Sequence, residues 1–210
     1  MAKITWWLLI LISVYQARFS HAQEIVATGG LGVVIERTIG QVAVVDRIQH
    51  KVVCRVKGFG DLSHASVVFS PDERFAFVFG RDGGLSKLDL TRCRIDKRIV
   101  QSGNAIGGAI SQDGQWVAVS NYQPGGVKIF DANTLALVAD IESEKLVGQP
   151  SKTVGLVDAP DNKFWVALFE AGAIWRIQME ASGKYRVSQF QHVGRQPYDA
   201  LITPDGRYYI

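Results

Sequence analysis

Apolar residues along this chain alternate with polar ones or fall in short β-branched runs. Val42-Ala43-Val44-Val45-Asp46, Lys51-Val52-Val53-Cys54-Arg55-Val56, Leu85-Ser86-Lys87-Leu88-Asp89 and Val127-Lys128-Ile129-Phe130-Asp131 are examples. A period of two places successive side chains on opposite faces, which predicts strands. No segment repeats its apolar residues at helical spacing, so the expected fold class is all-β.

The strands belong to a repeat. Ser70-Pro71-Asp72-Glu73-Arg74-Phe75 returns as Ser111-Gln112-Asp113-Gly114-Gln115-Trp116, as Ala159-Pro160-Asp161-Asn162-Lys163-Phe164 and as Thr203-Pro204-Asp205-Gly206-Arg207-Tyr208. Each copy joins a short apolar run to a strand rich in aromatic and β-branched residues. The interval is that of a four-stranded propeller blade, ~40–50 residues. Between copies, the runs ending in Asp46, Asp89 and Asp131 read as third strands, each closed by an Asp that can bond the next turn. Stretches such as Lys51–Val56 supply the fourth, outer strand. One blade cannot bury both of its faces, so blades must stack around an axis with their inner strands lining a channel. From Gln23 onward the chain holds about four blades and the opening strands of a fifth. It reads as a β-propeller of four-stranded blades over residues 23–210, truncated at its C-terminus, because a propeller must close to hide its edges.

The first 22 residues follow another pattern. Lys3 precedes a mostly apolar run from Ile4 to Val14, and Ser20-His21-Ala22 offers small residues where a signal peptidase cuts. The run is short against the ~20 residues of a membrane span. It predicts a signal peptide over residues 1–22, the alternative being an uncleaved anchor, and hence an exported, periplasmic protein with no stable span after cleavage. The chain has 210 residues and a net charge of +3, with Lys and Arg interleaved among Asp and Glu. That lacks the basic stripe nucleic acid requires. The two cysteines, Cys54 and Cys93, have neither zinc-site nor c-type haem spacing. They fall on the outer parts of adjacent repeats and could pair, but two separate thiols are the expected reading.

Blade order sorts the loops onto two faces. With strands A to D running from axis to rim, the D-to-A and B-to-C connections share one face and the A-to-B turns lie on the other. The Pro-Asp turns are then structural. The opposite face collects His64 in the connection entering the second blade, and Arg37 and Arg81 in the B-to-C turns of blades one and two. Arg195, Tyr198 and Asp199 join them from the connection entering the fifth blade, and Tyr122 and Glu170 from the B-to-C turns of blades three and four. Asp158 sits on an inner strand, where it could face the channel or be buried structurally. His50 and His192 rank lower, one in a rim-side turn and one just after an outer strand. Each has a bland alternative, since a loop Arg is usually a solvated charge and a loop His usually coordinates nothing.

Leu62-Ser63-His64-Ala65-Ser66-Val67-Val68-Phe69, leading into Phe79-Gly80-Arg81-Asp82-Gly83-Gly84, resembles the segment that carries the proximal haem ligand in the haem d1 domain family. Glu36 to Asp46 resembles the preceding blade of that domain. Gly155-Leu156-Val157-Asp158-Ala159-Pro160 and Val193-Gly194-Arg195-Gln196-Pro197-Tyr198-Asp199-Ala200 resemble its haem d1 biosynthesis branch. The resemblance covers essentially all of residues 23–210. It implies an eight-bladed propeller, half of it present, that takes haem d1 or an iron-bearing precursor tetrapyrrole. It implies His64 as the axial metal ligand, also part of the catalytic set, and Arg37 and Arg81 as partners of the peripheral carboxylates. Arg195 and Tyr198 complete the binding set, and Asp199, or else Asp158, takes a proton in a dehydrogenation of the tetrapyrrole. Nitrite reductase and other haem d1 assembly proteins are the implied protein partners. The reductases carry a cytochrome c domain ahead of the propeller, for which this sequence has no Cys-x-x-Cys-His. Where they place a distal histidine it has Tyr198-Asp199, so the resemblance favours the biosynthesis branch. The alternative from another class is a non-catalytic exported propeller that binds a protein or peptide.

Overall fold

The computed structural model describes residues 29–210, and the predicted signal segment, residues 1–22, lies outside the described residues. Strands follow one another as antiparallel neighbours in chain order. The first sheet holds β1 (Leu31–Glu36), β2 (Gln41–Asp46) and β3 (Lys51–Lys57), and the second β4 (Ser66–Phe69), β5 (Phe75–Phe79), β6 (Gly84–Asp89) and β7 (Arg94–Val100). The third holds β8 (Asn104–Ile110), β9 (Trp116–Gln123), β10 (Val127–Asp131) and β11 (Leu137–Ile141), and the fourth β12 (Thr153–Ala159), β13 (Lys163–Leu168), β14 (Ala173–Met179) and β15 (Tyr185–Phe190). The innermost strands touch in series, β4 against β8 and β8 against β12. Sheets that meet along their first strands and splay outward are the blades of a β-propeller. An isolated bridge from Ile202 to Tyr209 begins a further hairpin around the fourth Pro-Asp turn. Among the described residues the first blade has three strands, β1 standing in the second-strand position. Two short helical pieces interrupt the all-β pattern: a 3-10 turn at Arg37–Ile39 and the five-residue α1 (Ser143–Val147). Neither is long enough to show a helical period in sequence.

Burial explains why the middle strands read as continuous apolar runs. All six residues of β6 are buried, whereas the rim strand β7 alternates between exposed and half-buried. A middle strand has a neighbouring blade on each face; a rim strand has solvent on one edge. Along β5, Ala76 and Val78 pack toward the first blade, and Phe77 and Phe79 toward the third. The third and fourth blades share a cluster containing Trp116, Phe164 and the fully buried Trp175.

The repeated turns form a small clasp. Ser70 Oγ donates to Asp72 Oδ1 at 2.5 Å and accepts from the Phe75 N–H at 2.9 Å. Ser111 with Asp113 and Trp116, and Thr203 with Asp205 and Tyr208, do the same. The fourth blade has Ala159 in the hydroxyl position and turns instead through left-handed Asp161 and Asn162. Ser111→Ala removes the acceptor of the buried Trp116 N–H and is expected to cost about 1–3 kcal/mol, measured as a lower urea midpoint. An unchanged midpoint would show the clasp to be ornamental. On the same face, Asp46, Asp89 and Asp131 each accept from backbone N–H groups two and three residues on, as their sequence position predicts.

The expectation of two separate thiols is corrected. Cys54 and Cys93 form a disulfide, with their Cα atoms 6.3 Å apart. It ties β3 of the first blade to the β6–β7 turn of the second. How closely one rim strand approaches the next blade's turn depends on blade stacking, which spacing along the chain does not report.

Candidate functional site

His64 and Arg81 are held by one folded unit. The connection from β3 to β4 is pinned by Phe59 and Leu62, each 1% exposed, and by the buried Ala65. These anchors flank His64 and leave its imidazole half-buried at the surface between them. Asp61 Oδ1 accepts from the Ser63 N–H at 2.8 Å, which shapes the turn just before the histidine. Bonds from the Ser63 side chain and backbone, with help from the Arg81 charge, hold the Asp61 carboxyl below its ordinary range. The β5–β6 turn rests on this connection, because the Arg81 N–H donates to the Asp61 carbonyl at 2.9 Å. A Cβ on Gly80 would lie 3.1 Å from that carbonyl oxygen and 2.8 Å from Asp82 Oδ1, so glycine permits the close seat. Asp82 pairs with Arg98 at 2.5 Å, and Arg98 Nε donates to the Phe59 carbonyl at 3.1 Å. The exposed Arg37 lies in the 3-10 turn between β1 and β2, as the loop sorting predicts.

A second cluster spans the connections entering blades four and five. Lys152, just before β12, pairs its ammonium with Glu170. Its Nζ lies 5.2 Å from the ring centroid of Tyr122 and 5.2 Å from that of Phe169. Phe169 meets Tyr198 edge-on at 5.8 Å. The bond that Lys152 donates to Glu170 pushes its ammonium above its ordinary range. Burial pushes the Glu170 carboxyl up, but bonds from the Lys152 side chain and backbone outweigh it and hold the group low. Tyr198 is pushed up by burial and by Tyr122 beside it. Arg195, Tyr198 and Asp199 are exposed on the segment after β15. That segment passes so near β12 that a Cβ on Gly155 would lie 2.3 Å from the Tyr198 carbonyl oxygen. Gly155 sits in a register shift of β12 with φ +51°, and both features make room for the crossing chain.

The structure therefore brings His64 and Arg81 into one unit, and Tyr122, Glu170 and Tyr198 into another. Asp158 joins neither. It pairs in register with Phe164 near the Pro160 turn, lining a crevice with Gln112, Val157 and Leu201. From Thr153, at the loop-face end of β12, it is five residues along the strand, roughly 16 Å at ~3.3 Å per residue. His50 lies in the β2–β3 turn on that same far face, and His192 is exposed just after β15. Lys152 and Phe169 are the residues the sequence reading missed. Lys152 occupies the same class of connection as His64 and Arg195, so the loop sorting held the signal for it.

Known proteins place this arrangement in a family. The sequence model of the cytochrome D1 heme domain matches residues 26–210. The chain is 57% identical over 185 residues to protein NirF of Pseudomonas aeruginosa, covering 87% of this chain and 47% of that protein. It is 52% identical over 190 residues to NirF of Stutzerimonas stutzeri, covering 90% and 49%. It thus spans about half the length of the curated relatives it matches, and four blades in half the length are consistent with eight in the whole. Among solved structures, the dihydro-heme d1 dehydrogenase NirN in complex with DHE superposes with a TM-score of 0.76 at 28% identity, covering 86% of this chain and 38% of that one. With the family model matched across every described strand, and more than half the aligned positions shared with two NirF proteins, this chain belongs to the cytochrome d1 haem domain family.

Proposed function

We propose that this chain is half of an exported eight-bladed propeller that binds haem d1 or an iron tetrapyrrole precursor and acts in haem d1 biosynthesis. The observation that carries the reading is the unit in which buried anchors hold His64 at the surface beside the backbone-locked Arg81 turn. One imidazole with guanidiniums on the same face suits a group that brings its own in-plane nitrogen donors and carries acidic substituents at its rim. When bound, such a group supplies a redox-active iron and an extended π system. The chain's part would be to hold the group at its iron with His64 and at its rim carboxylates with Arg37 and Arg81. The NirF and NirN relatives support the biosynthetic role, and the disulfide supports an oxidising, periplasmic location.

The narrower reading is an oxidoreductase step that removes two hydrogens from the bound tetrapyrrole. Asp199, exposed beside Tyr198, takes one proton, the second proton passes to solvent, and the two electrons leave to an external electron acceptor. Nitrite reductase and other assembly proteins then receive the product.

The test is a visible titration of the complete protein with haem d1. Wild type is expected to shift the spectrum, and His64→Ala to lose the bands that depend on the imidazole and bind about tenfold more weakly. Asp199→Asn should keep the wild-type spectrum and lose substrate oxidation. No shift with wild type sinks the tetrapyrrole reading; an equal shift in His64→Ala removes His64 as ligand.

A further inference from the structure

The Lys152 cluster has more hydrogen-bonding capacity than the fold uses. A lysine ammonium has three N–H donors and no acceptor. Glu170 takes one of them. The Tyr122 and Phe169 rings, each 5.2 Å from Nζ, hold the charge through their faces without consuming a donor. The lysine side chain is 30% exposed, within reach of a ligand on the loop face. Glu170 cannot follow its partner, because its other oxygen accepts from the Lys152 backbone N–H at 2.7 Å and from Ser151 Oγ at 3.4 Å. A partly exposed ammonium is thus paired with a carboxylate held by the backbone, inside a frame of aromatic rings.

We propose that Lys152 is a binding residue for a rim carboxylate of the tetrapyrrole, and that Glu170 is the internal carboxylate which occupies the ammonium until that ligand arrives. This rests on the tetrapyrrole reading above. Arg37 and Arg81 belong to the first and second blades, whereas Lys152 stands where the third blade meets the fourth. Cations at separate points of the mouth pair with acidic groups at separate points of a flat ring's edge, and so fix its rotation. The Tyr122 and Tyr198 phenols lie beside the ammonium and bond one another, which leaves one O–H as a further donor for the same carboxylate. Because Glu170 already balances the lysine charge, recognition is short-range and hydrogen-bonded, and one N–H exchanges its acceptor.

The experiment titrates the complete protein with haem d1 as the free acid and as its methyl ester, using wild type, Lys152→Met and Glu170→Gln. Lys152→Met is expected to weaken the free acid about tenfold and to leave the ester unchanged. Glu170→Gln should tighten the free acid several-fold, since the amide oxygen can keep the backbone bond while the ammonium loses its competitor. A merely structural ion pair would make both variants weaken both ligands, and that result overturns the proposal. So does free-acid affinity unchanged in Lys152→Met. If wild type binds neither form, the tetrapyrrole reading itself has failed.

Discussion

Alanine in place of Gly83 is expected to destabilise the protein by roughly 3–5 kcal/mol, against the ~0.5 kcal/mol typical of an innocuous surface change. Gly83 is buried in the β5–β6 turn with φ +77°, a conformation that disfavours any side chain. Its missing Cβ would lie 1.9 Å from the carbonyl oxygen of Ser102 and 2.5 Å from the carbon. Both atoms are backbone, so no rotamer change relieves the clash. The connection into the third blade must move, and with it the bond from the Gln101 N–H to the Gly83 carbonyl at 3.0 Å. Gly103 is the matched control, since a Cβ there meets nothing within 4 Å. Equilibrium urea unfolding should show a large fall in midpoint for Gly83→Ala and almost none for Gly103→Ala. Equal midpoints would mean that blades two and three are not seated as described. The same turn carries Arg81, so weaker tetrapyrrole binding by Gly83→Ala should accompany the lost stability.

The second large effect concerns the cysteines. The disulfide joins residues 39 apart in sequence. Cross-linking a loop of that length removes enough unfolded-chain entropy to stabilise the fold by about 4 kcal/mol in the loop-entropy picture, and measured values commonly reach about 2–4 kcal/mol. Reduction by dithiothreitol, or Cys54→Ser with Cys93→Ser, should therefore lower the urea midpoint. A thiol count of zero before reduction and two after it checks the bond directly. A midpoint insensitive to reductant would show that blades one and two are held by their apolar contacts alone.

The architecture was legible because the same local chemistry recurs. A hydroxyl, a Pro-Asp turn and an apolar strand repeat at blade length, and the third strands end in Asp residues whose turn bonds the structure reproduces. Face sorting was legible for a related reason. Antiparallel neighbours in chain order leave each connection only one end of its blade to occupy, which placed Arg37, His64, Arg81 and Tyr198 correctly on loops of one face. What the sequence concealed depends on contacts between blades. The Cys54–Cys93 bond and the gathering of Tyr122, Lys152, Phe169 and Tyr198 from three blades are set by stacking, which has no signature along the chain. Asp158 shows the converse. Its inner-strand position was readable, but its distance from the loop face follows from the register of β12 on β13.

Among the described residues, the three apolar clusters lie across blade boundaries, and none lies within a single blade. Each blade thus lends one face of its sheet to each neighbour, and cohesion is a chain of pairwise bonds, like links that share their rivets. Such an assembly has no central keystone, and each boundary holds by its own contacts. The disulfide rivets the first boundary covalently, and the loop-face clusters sit above the later ones. A ligand gripped at once by the second blade and by the seam between the third and fourth would fasten boundaries that the interior leaves energetically separate. Occupancy of the mouth would then be felt as rigidity around the arc.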